Sequence, residues 1–456
     1  MPTSIDPSTG ATLAEYPFHD ADETERRVAL VHAGQHEWRA RPIAERAALL
    51  RSLGAQLRTE REAHAELMVA EMGKPLAQAL GEIDKCAWLC EWYADHGPAM
   101  LADEPVETDA LRSFISYQPL GVILAIMPWN FPWWQALRFA VPALLAGNTV
   151  LLKHAPNTTG CGLAIVEAAR KAGLPSAVFE TLILDNDAIA TVIEDPRIAG
   201  VSLTGSTRAG RAVGEVAGRS LKKLVLELGG SDPYVVLADA DVEHAAEVCV
   251  RARLHNSGQT CVAAKRFIVV EAVADRFEAA VVERMKQAVL GPPRAATTTV
   301  GPLARLDLRA ALHDQVGRSI AAGATLALGG ELPEGPGAFY PPTLLTGVEP
   351  GMPAAEEELF GPVAAVMRVQ TDESALVLAN RTAYGLGAVV FTRDLERGER
   401  IAREQLEAGC CFVNAQVKSD PRLPFGGIKD SGVGRELGRA GLMEWVNVKT
   451  VWVERG

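Results

Sequence analysis

A thiol, a carboxylate and a carboxamide stand at three separated points of the chain in settings that suit covalent catalysis. Cys261 lies in Gly258-Gln259-Thr260-Cys261-Val262, where small, turn-permissive and polar neighbours can present its sulfur to a pocket. A free cysteine is more often a small buried hydrophobe, so its role depends on what accompanies it. Glu227 ends the β-type apolar run Val225-Leu226-Glu227-Leu228 and is followed by Gly229-Gly230-Ser231-Asp232-Pro233, which puts a carboxylate at a strand end. Asn130 follows another apolar strand in Ile126-Met127-Pro128-Trp129-Asn130-Phe131-Pro132, between prolines that fix the local backbone. Further on, Glu358-Leu359-Phe360-Gly361-Pro362-Val363 and Pro424-Phe425-Gly426-Gly427 repeat the grouping of aromatic, glycine and proline at a strand or loop edge.

Such residues need a scaffold that brings them to one place, and the hydrophobic periodicity supplies one. Ala21 to Trp38, Ile43 to Met72 and Leu76 to Gly97 carry apolar residues at three- and four-residue spacing and read as helices covering one face of a sheet. From Leu120 the pattern changes to apolar runs separated by helices: Val122 to Met127, Thr149 to Lys153, Val178 to Leu184, Gly200 to Thr204 and Lys223 to Leu228. That alternation predicts a parallel sheet with crossover helices, the dinucleotide-binding architecture, although no GxGxxG motif is present.

In its place, Leu203-Thr204-Gly205-Ser206-Thr207-Arg208-Ala209-Gly210 follows a strand and opens a helix, so N–H groups and a serine hydroxyl face whatever anion docks there. Lys153 ends its strand where an ammonium could meet ribose hydroxyls or a 2'-phosphate. A second alternating region begins after Gly230, with a helix at Val242 to Leu254 and strands at Phe267 to Val270, Tyr340 to Leu345 and Val363 to Val369. Two alternating ribbons, Arg112 to Gln118 and Glu444 to Glu454, suit a small β element that pairs between subunits.

Composition bounds the function. With 456 residues the chain exceeds one simple core, and 48% hydrophobic with 22% charged residues is globular. A formal net charge of −12 argues against a nucleic-acid or anionic-membrane surface. No secretory signal is read at the start, and prolines interrupt the apolar stretches too often for a membrane span. Seven cysteines without a CxxC pair suggest free thiols in a reducing, cytoplasmic compartment, with no metal site.

Taken together and in this order, these motifs resemble the aldehyde dehydrogenase superfamily from about residue 5 to the last few residues. The middle of the chain looks most like the bacterial succinate-semialdehyde dehydrogenases of the short type. The resemblance implies an α/β fold with a Rossmann-type cofactor domain (1–108 and 121–227), an α/β catalytic domain (228–442) and a small oligomerisation ribbon (109–120 and 443–456). It implies NAD or NADP as cofactor, an aldehyde as the small-molecule substrate and a homodimer or homotetramer.

Within that chemistry Cys261 adds to the aldehyde carbon, Asn130 and the Cys261 N–H hold the oxyanion, and hydride leaves for the nicotinamide ring. Glu227 serves as general base on the water that hydrolyses the thioester; its presence, at the spacing of the hydrolytic relatives, favours a free acid over a coenzyme A ester. Trp129, Lys153, Gly205, Ser206, Glu358 and Phe360 are the implied cofactor residues. Arg138, Asn414 and Phe425 are the implied substrate residues, with Arg138 as a bidentate fork for a distal carboxylate. A second arginine of some relatives is His255 here, and Lys418, Ser419 or Arg422 are candidates to substitute. The residue three after Lys153 is Pro156, which decides neither cofactor. Succinate semialdehyde is the expected substrate; the rivals are an enzyme for uncharged aldehydes and a non-catalytic protein on the same fold.

Overall fold

The computed structural model describes residues 1–455. Five parallel strands, with a sixth short antiparallel one at the edge, form the first sheet, in the spatial order Gly432–Val433, Lys223–Glu227, Ile198–Thr204, Val122–Met127, Thr149–His154 and Phe179–Thr181. The strands read from the sequence are these, with ends shifted by a residue or two; the expected strand Val178 to Leu184 is shorter because it lies at the edge and pairs on one side only. In register, Ile126 stands beside both Leu203 and Lys153, and Thr204 beside Glu227. The carboxyl ends of these strands therefore share one edge, where ligands bind in open α/β sheets.

The crossover helix Pro132–Ala146 begins with proline at its first turn and ends at Gly147 in the left-handed conformation (φ 99°), so its limits follow from local chemistry. All its residues are buried, because it lies between the sheet and the helix Leu76–Met100. That second helix turns Ala79, Ile83, Cys86, Leu89, Cys90 and Tyr93 inward at helical spacing. Each large apolar side chain so buried contributes about 1.5–3 kcal/mol. The expected single helix from Ile43 to Met72 is two, Ile43–Thr59 and Arg61–Met72. The chain turns at Glu60 (φ −107°, ψ 24°), while the apolar spacing runs through.

A second sheet has the order Thr325–Leu328, Thr343–Thr346, Val363–Val369, Arg266–Val270, Pro233–Val236, Gly387–Phe391 and Cys410–Val413, parallel except for its first strand. The two ribbons, Arg112–Pro119 and Val446–Val453, pair antiparallel with each other, and Glu104–Pro105 joins them in a third sheet. Among the described residues no helix is long and apolar enough to cross a membrane. No group of three metal-ligating side chains is found there either.

Candidate active site

Cys261 is held by a strained turn. Asn256 and Ser257 both have φ 54° and Gly258 has φ 75°, three consecutive left-handed residues. Only glycine fits at 258, since a Cβ there would sit 2.2 Å from the Gly361 carbonyl oxygen. The turn is locked by Asn256 Nδ2, which donates to the carbonyls of Asn130 (2.7 Å) and Gln259 (3.1 Å). On the other side the buried Lys265 donates Nζ to the Cys261 carbonyl (2.6 Å) and lies 3.2 Å from Glu358 Oε1. The sulfur-bearing residue thus lies at the junction of two clefts of about 400 and 410 Å³, lining both. Burial pushes its thiol up to about 12, against the opposing charges of Arg138 and Lys265, so it rests protonated at neutral pH.

Asn130 is buried beside it and donates Nδ2 to the Gln259 carbonyl at 3.0 Å. A carboxamide carries two N–H donors, which leaves one for the cleft that Asn130 lines.

Glu227 is 2% exposed, and neither of its carboxylate oxygens has a hydrogen-bond partner among the described residues. It borders neither cleft, but its charge acts on the Cys261 thiol, whose pKa it raises. Its space comes from Gly426 (φ 153°), where a Cβ would meet Glu227 Oε1 at 2.6 Å. Arg138 Nη2 is 3.9 Å from Glu227, and Arg138 Nε pairs with Glu436, a residue absent from the sequence reading. Reciprocal backbone bonds to Phe425, both 2.7 Å, pin Glu436 in place. Two buried carboxylates share one guanidinium. Burial raises the pKa of each, and the charge of Glu436 raises that of Glu227 further, so the pair retains a proton well above the usual carboxylate range.

The cleft on the first sheet's edge has Gly205 and Ser206 at the start of the helix Thr207–Arg219. Ser206 Oγ accepts from Ala209 N (3.3 Å), leaving its proton to donate, and the first N–H groups of the helix have no partner within it. Trp129 and Phe360 meet edge to face with centroids 5.7 Å apart, and Glu358 accepts from Gly230 N at 3.1 Å. Phosphate donors, aromatic walls and a hydroxyl acceptor in one cleft fit a dinucleotide. Lys153 stands on the same sheet edge, with Nζ 3.3 Å from Asn186 Oδ1, but outside the cleft wall. The adjacent His154 is buried, bonded to the Pro132 carbonyl and lowered to about 4 by burial, so it adds no positive charge.

The other cleft is lined by Lys85, Trp134, Arg138, Lys418, Ser419 and Phe425, among others. Arg138 borders it, with its guanidinium carbon 4.8 Å from the Phe425 ring centre. It is not the free fork expected, because its Nε edge is occupied by Glu436. Asn414 is a correction: its carboxamide donates to the Thr392 carbonyl (2.8 Å) and accepts from Thr392 N (3.0 Å), away from both clefts. Arg422 is bound to Asp420 and does not reach the cleft. His255 does line it, but stacks on Phe131 and is lowered to about 4 by burial.

The chain is similar to known proteins over nearly its whole length. The model of the aldehyde dehydrogenase family matches residues 2–451. Succinate semialdehyde dehydrogenase [NAD(P)+] Sad of Escherichia coli is 49% identical over 452 residues, covering 99% of this chain and 98% of that one. A probable succinate-semialdehyde dehydrogenase [NADP(+)] of Synechocystis is 48% identical over 450 residues, 99% of each chain. The solved structure of succinic semialdehyde dehydrogenase from Streptococcus pyogenes with NADP+ superimposes with a TM-score of 0.97 at 36% identity, covering 100% of both chains. The chain belongs to the aldehyde dehydrogenase family.

Proposed function

We propose that the protein oxidises succinate semialdehyde to succinate with NAD or NADP. The observation that carries this reading is the position of Cys261, where a dinucleotide-shaped cleft meets a second cleft bearing positive charge. The relatives named above for that activity, 49% and 48% identical over nearly the whole chain, support the substrate.

The Cys261 thiol gives up its proton to solvent and the sulfur attacks the aldehyde carbon, while Asn130 Nδ2 and the Cys261 N–H stabilise the resulting oxyanion. A bound nicotinamide would supply the acceptor for the hydride expelled as the Cys261 adduct collapses to a thioester. Glu227, once ionised, takes a proton from water attacking the thioester and passes it to the sulfur, so the acid leaves as the thiol is restored. Water is consumed and two protons are released per aldehyde oxidised to the carboxylate. Trp129 and Phe360 would wall the nicotinamide end, Glu358 would hold the ribose, Gly205 and Ser206 would take the pyrophosphate, and Lys153, on the same sheet edge, would meet the adenosine ribose where the cofactor extends past the cleft wall.

The missing carboxylate at Pro156 leaves no repulsion against a 2'-phosphate, which supports binding of either cofactor. The sheet of Arg112–Pro119 and Val446–Val453 serves as an oligomerisation ribbon of a cytoplasmic homodimer or homotetramer, its outer strand carrying the exposed Val448 and Trp452.

Initial rates of the purified protein with succinate semialdehyde and with butanal, each with NAD and with NADP, test this. A kcat/KM at least about 10²-fold higher for the carboxylated aldehyde is expected. Equal values would mark an enzyme for uncharged aldehydes.

A further inference from the structure

A buried ammonium joins the nucleophile to the cofactor cleft while lining neither cleft itself. Lys265 stands just ahead of the strand Arg266–Val270, in the turn that carries Cys261. Its Nζ donates to the Cys261 carbonyl at 2.6 Å and to the Thr260 carbonyl at 3.2 Å, and it pairs with Glu358 Oε1 at 3.2 Å. An ammonium carries three N–H donors, so all of them are used and none is left for a ligand. Glu358 Oε1 also accepts from Gly230 N at 3.1 Å, while Oε2 lies against Gly229, where a Cβ would come within 2.5 Å of it. One oxygen of Glu358 is thereby fixed by the protein.

The Thr260 contact reaches the oxyanion site. The Thr260 carbonyl and the Cys261 N–H belong to one planar peptide, so a cation on the oxygen fixes the direction of the N–H and polarises it toward donation. Ala263 N donates to the same oxygen at 3.1 Å, which closes the turn from its other side. Charge acts on the sulfur as well. Arg138 and Lys265 favour the thiolate, Glu227 and Asp232 oppose it, and burial outweighs all four. Asp232 is turned to Gly387 N, at 3.0 Å, so Glu358 is the carboxylate that Lys265 meets directly. Arg138 is engaged by Glu436 and lies near Glu227.

We infer that Lys265 is a positioning residue that ties the carboxylate Glu358 of the cofactor cleft to the peptide bearing the oxyanion donor, so that one side chain sets both cofactor seating and attack by Cys261. The assignment rests on the aldehyde chemistry proposed at Cys261 and adds to it a residue that touches neither substrate nor cofactor.

The test compares Lys265→Met with the parent protein in two assays. With succinate semialdehyde, kcat is expected to fall about 10- to 100-fold and the cofactor KM to rise about 3- to 10-fold, with the aldehyde KM changed only a few-fold. Without aldehyde or cofactor, alkylation of Cys261 by iodoacetamide at about pH 9, followed by peptide mass spectrometry, is expected to slow about 3- to 10-fold, because the loss of one cation leaves less thiolate. Alkylation at the parent rate or faster, the mark of a merely loosened turn, would overturn the assignment and leave the proposed oxidation standing. So would a kcat kept while the aldehyde KM rises. A parent protein that oxidises no aldehyde would overturn both. Should Lys265→Met not fold, Lys265→Gln gives the same decision: it keeps two N–H donors and loses the charge, so slower alkylation with a smaller loss of kcat is expected, and alkylation at the parent rate contradicts the assignment.

Discussion

The two clefts that meet at Cys261 are made of different material. On the cofactor side the functional groups are strand ends, a helix N-terminus and short rigid turns, with Gly205, Ser206 and the Pro128-Trp129-Asn130 segment held by main-chain geometry. On the side proposed for the substrate they are side chains from two helices and the loop 416–419, held by packing. A backbone cradle suits a ligand shared by many reactions. A wall of side chains can be altered one residue at a time without disturbing the sheet, so substrate choice belongs there.

Substitutions that act at the junction should affect both sides equally. Glu227→Gln is expected to lower steady-state turnover about 10²- to 10⁴-fold with every aldehyde and either cofactor. It should leave one rapid burst of reduced cofactor, followed by stopped-flow absorbance. Because burial holds the Glu227 carboxyl above the usual carboxylate range, thioester hydrolysis in the parent protein should accelerate as rising pH removes that proton. In Glu227→Gln that pH rise should vanish. Asn130→Ala is expected to cost about 10²- to 10³-fold in kcat, again irrespective of the aldehyde, measured by initial rates. An effect confined to one aldehyde would move Asn130 out of the oxyanion site and into the substrate wall.

Ser206→Ala should separate the clefts. One hydroxyl to a phosphate is lost, so the cofactor KM should rise about 3- to 10-fold while the ratio of kcat/KM between succinate semialdehyde and butanal stays fixed. A changed ratio would mean that the two clefts are coupled through Cys261.

The same contrast explains what was legible in the sequence. Strand ends and turn motifs are local, so the first sheet, the helix opening at Ser206 and the tight turn that carries Cys261 could be read from short stretches. Packing is not local. Asn414 sits in a motif near the cleft, yet its carboxamide closes on Thr392, and nothing in the neighbouring residues signals that. Lys85 lies on a helix whose spacing reads as an ordinary amphipathic surface, and only the approach of Trp134 and Ser419 makes it part of a site.

Glu436 and Lys265 went unread for a related reason, since a charged residue in an apolar stretch reveals burial but not its partner. Arg138 was seen, but as a fork for substrate, because two protein carboxylates more than 80 residues away cannot be placed from sequence.

The covalent step at Cys261 is the claim on which both clefts depend, and intact-protein and peptide mass spectrometry of Glu227→Gln tests it most directly. After mixing with succinate semialdehyde and cofactor, the peptide bearing Cys261 should carry the acyl group, in amount equal to the burst of reduced cofactor. Reduced cofactor formed with Cys261 unmodified, or the acyl group found on another cysteine, would contradict it.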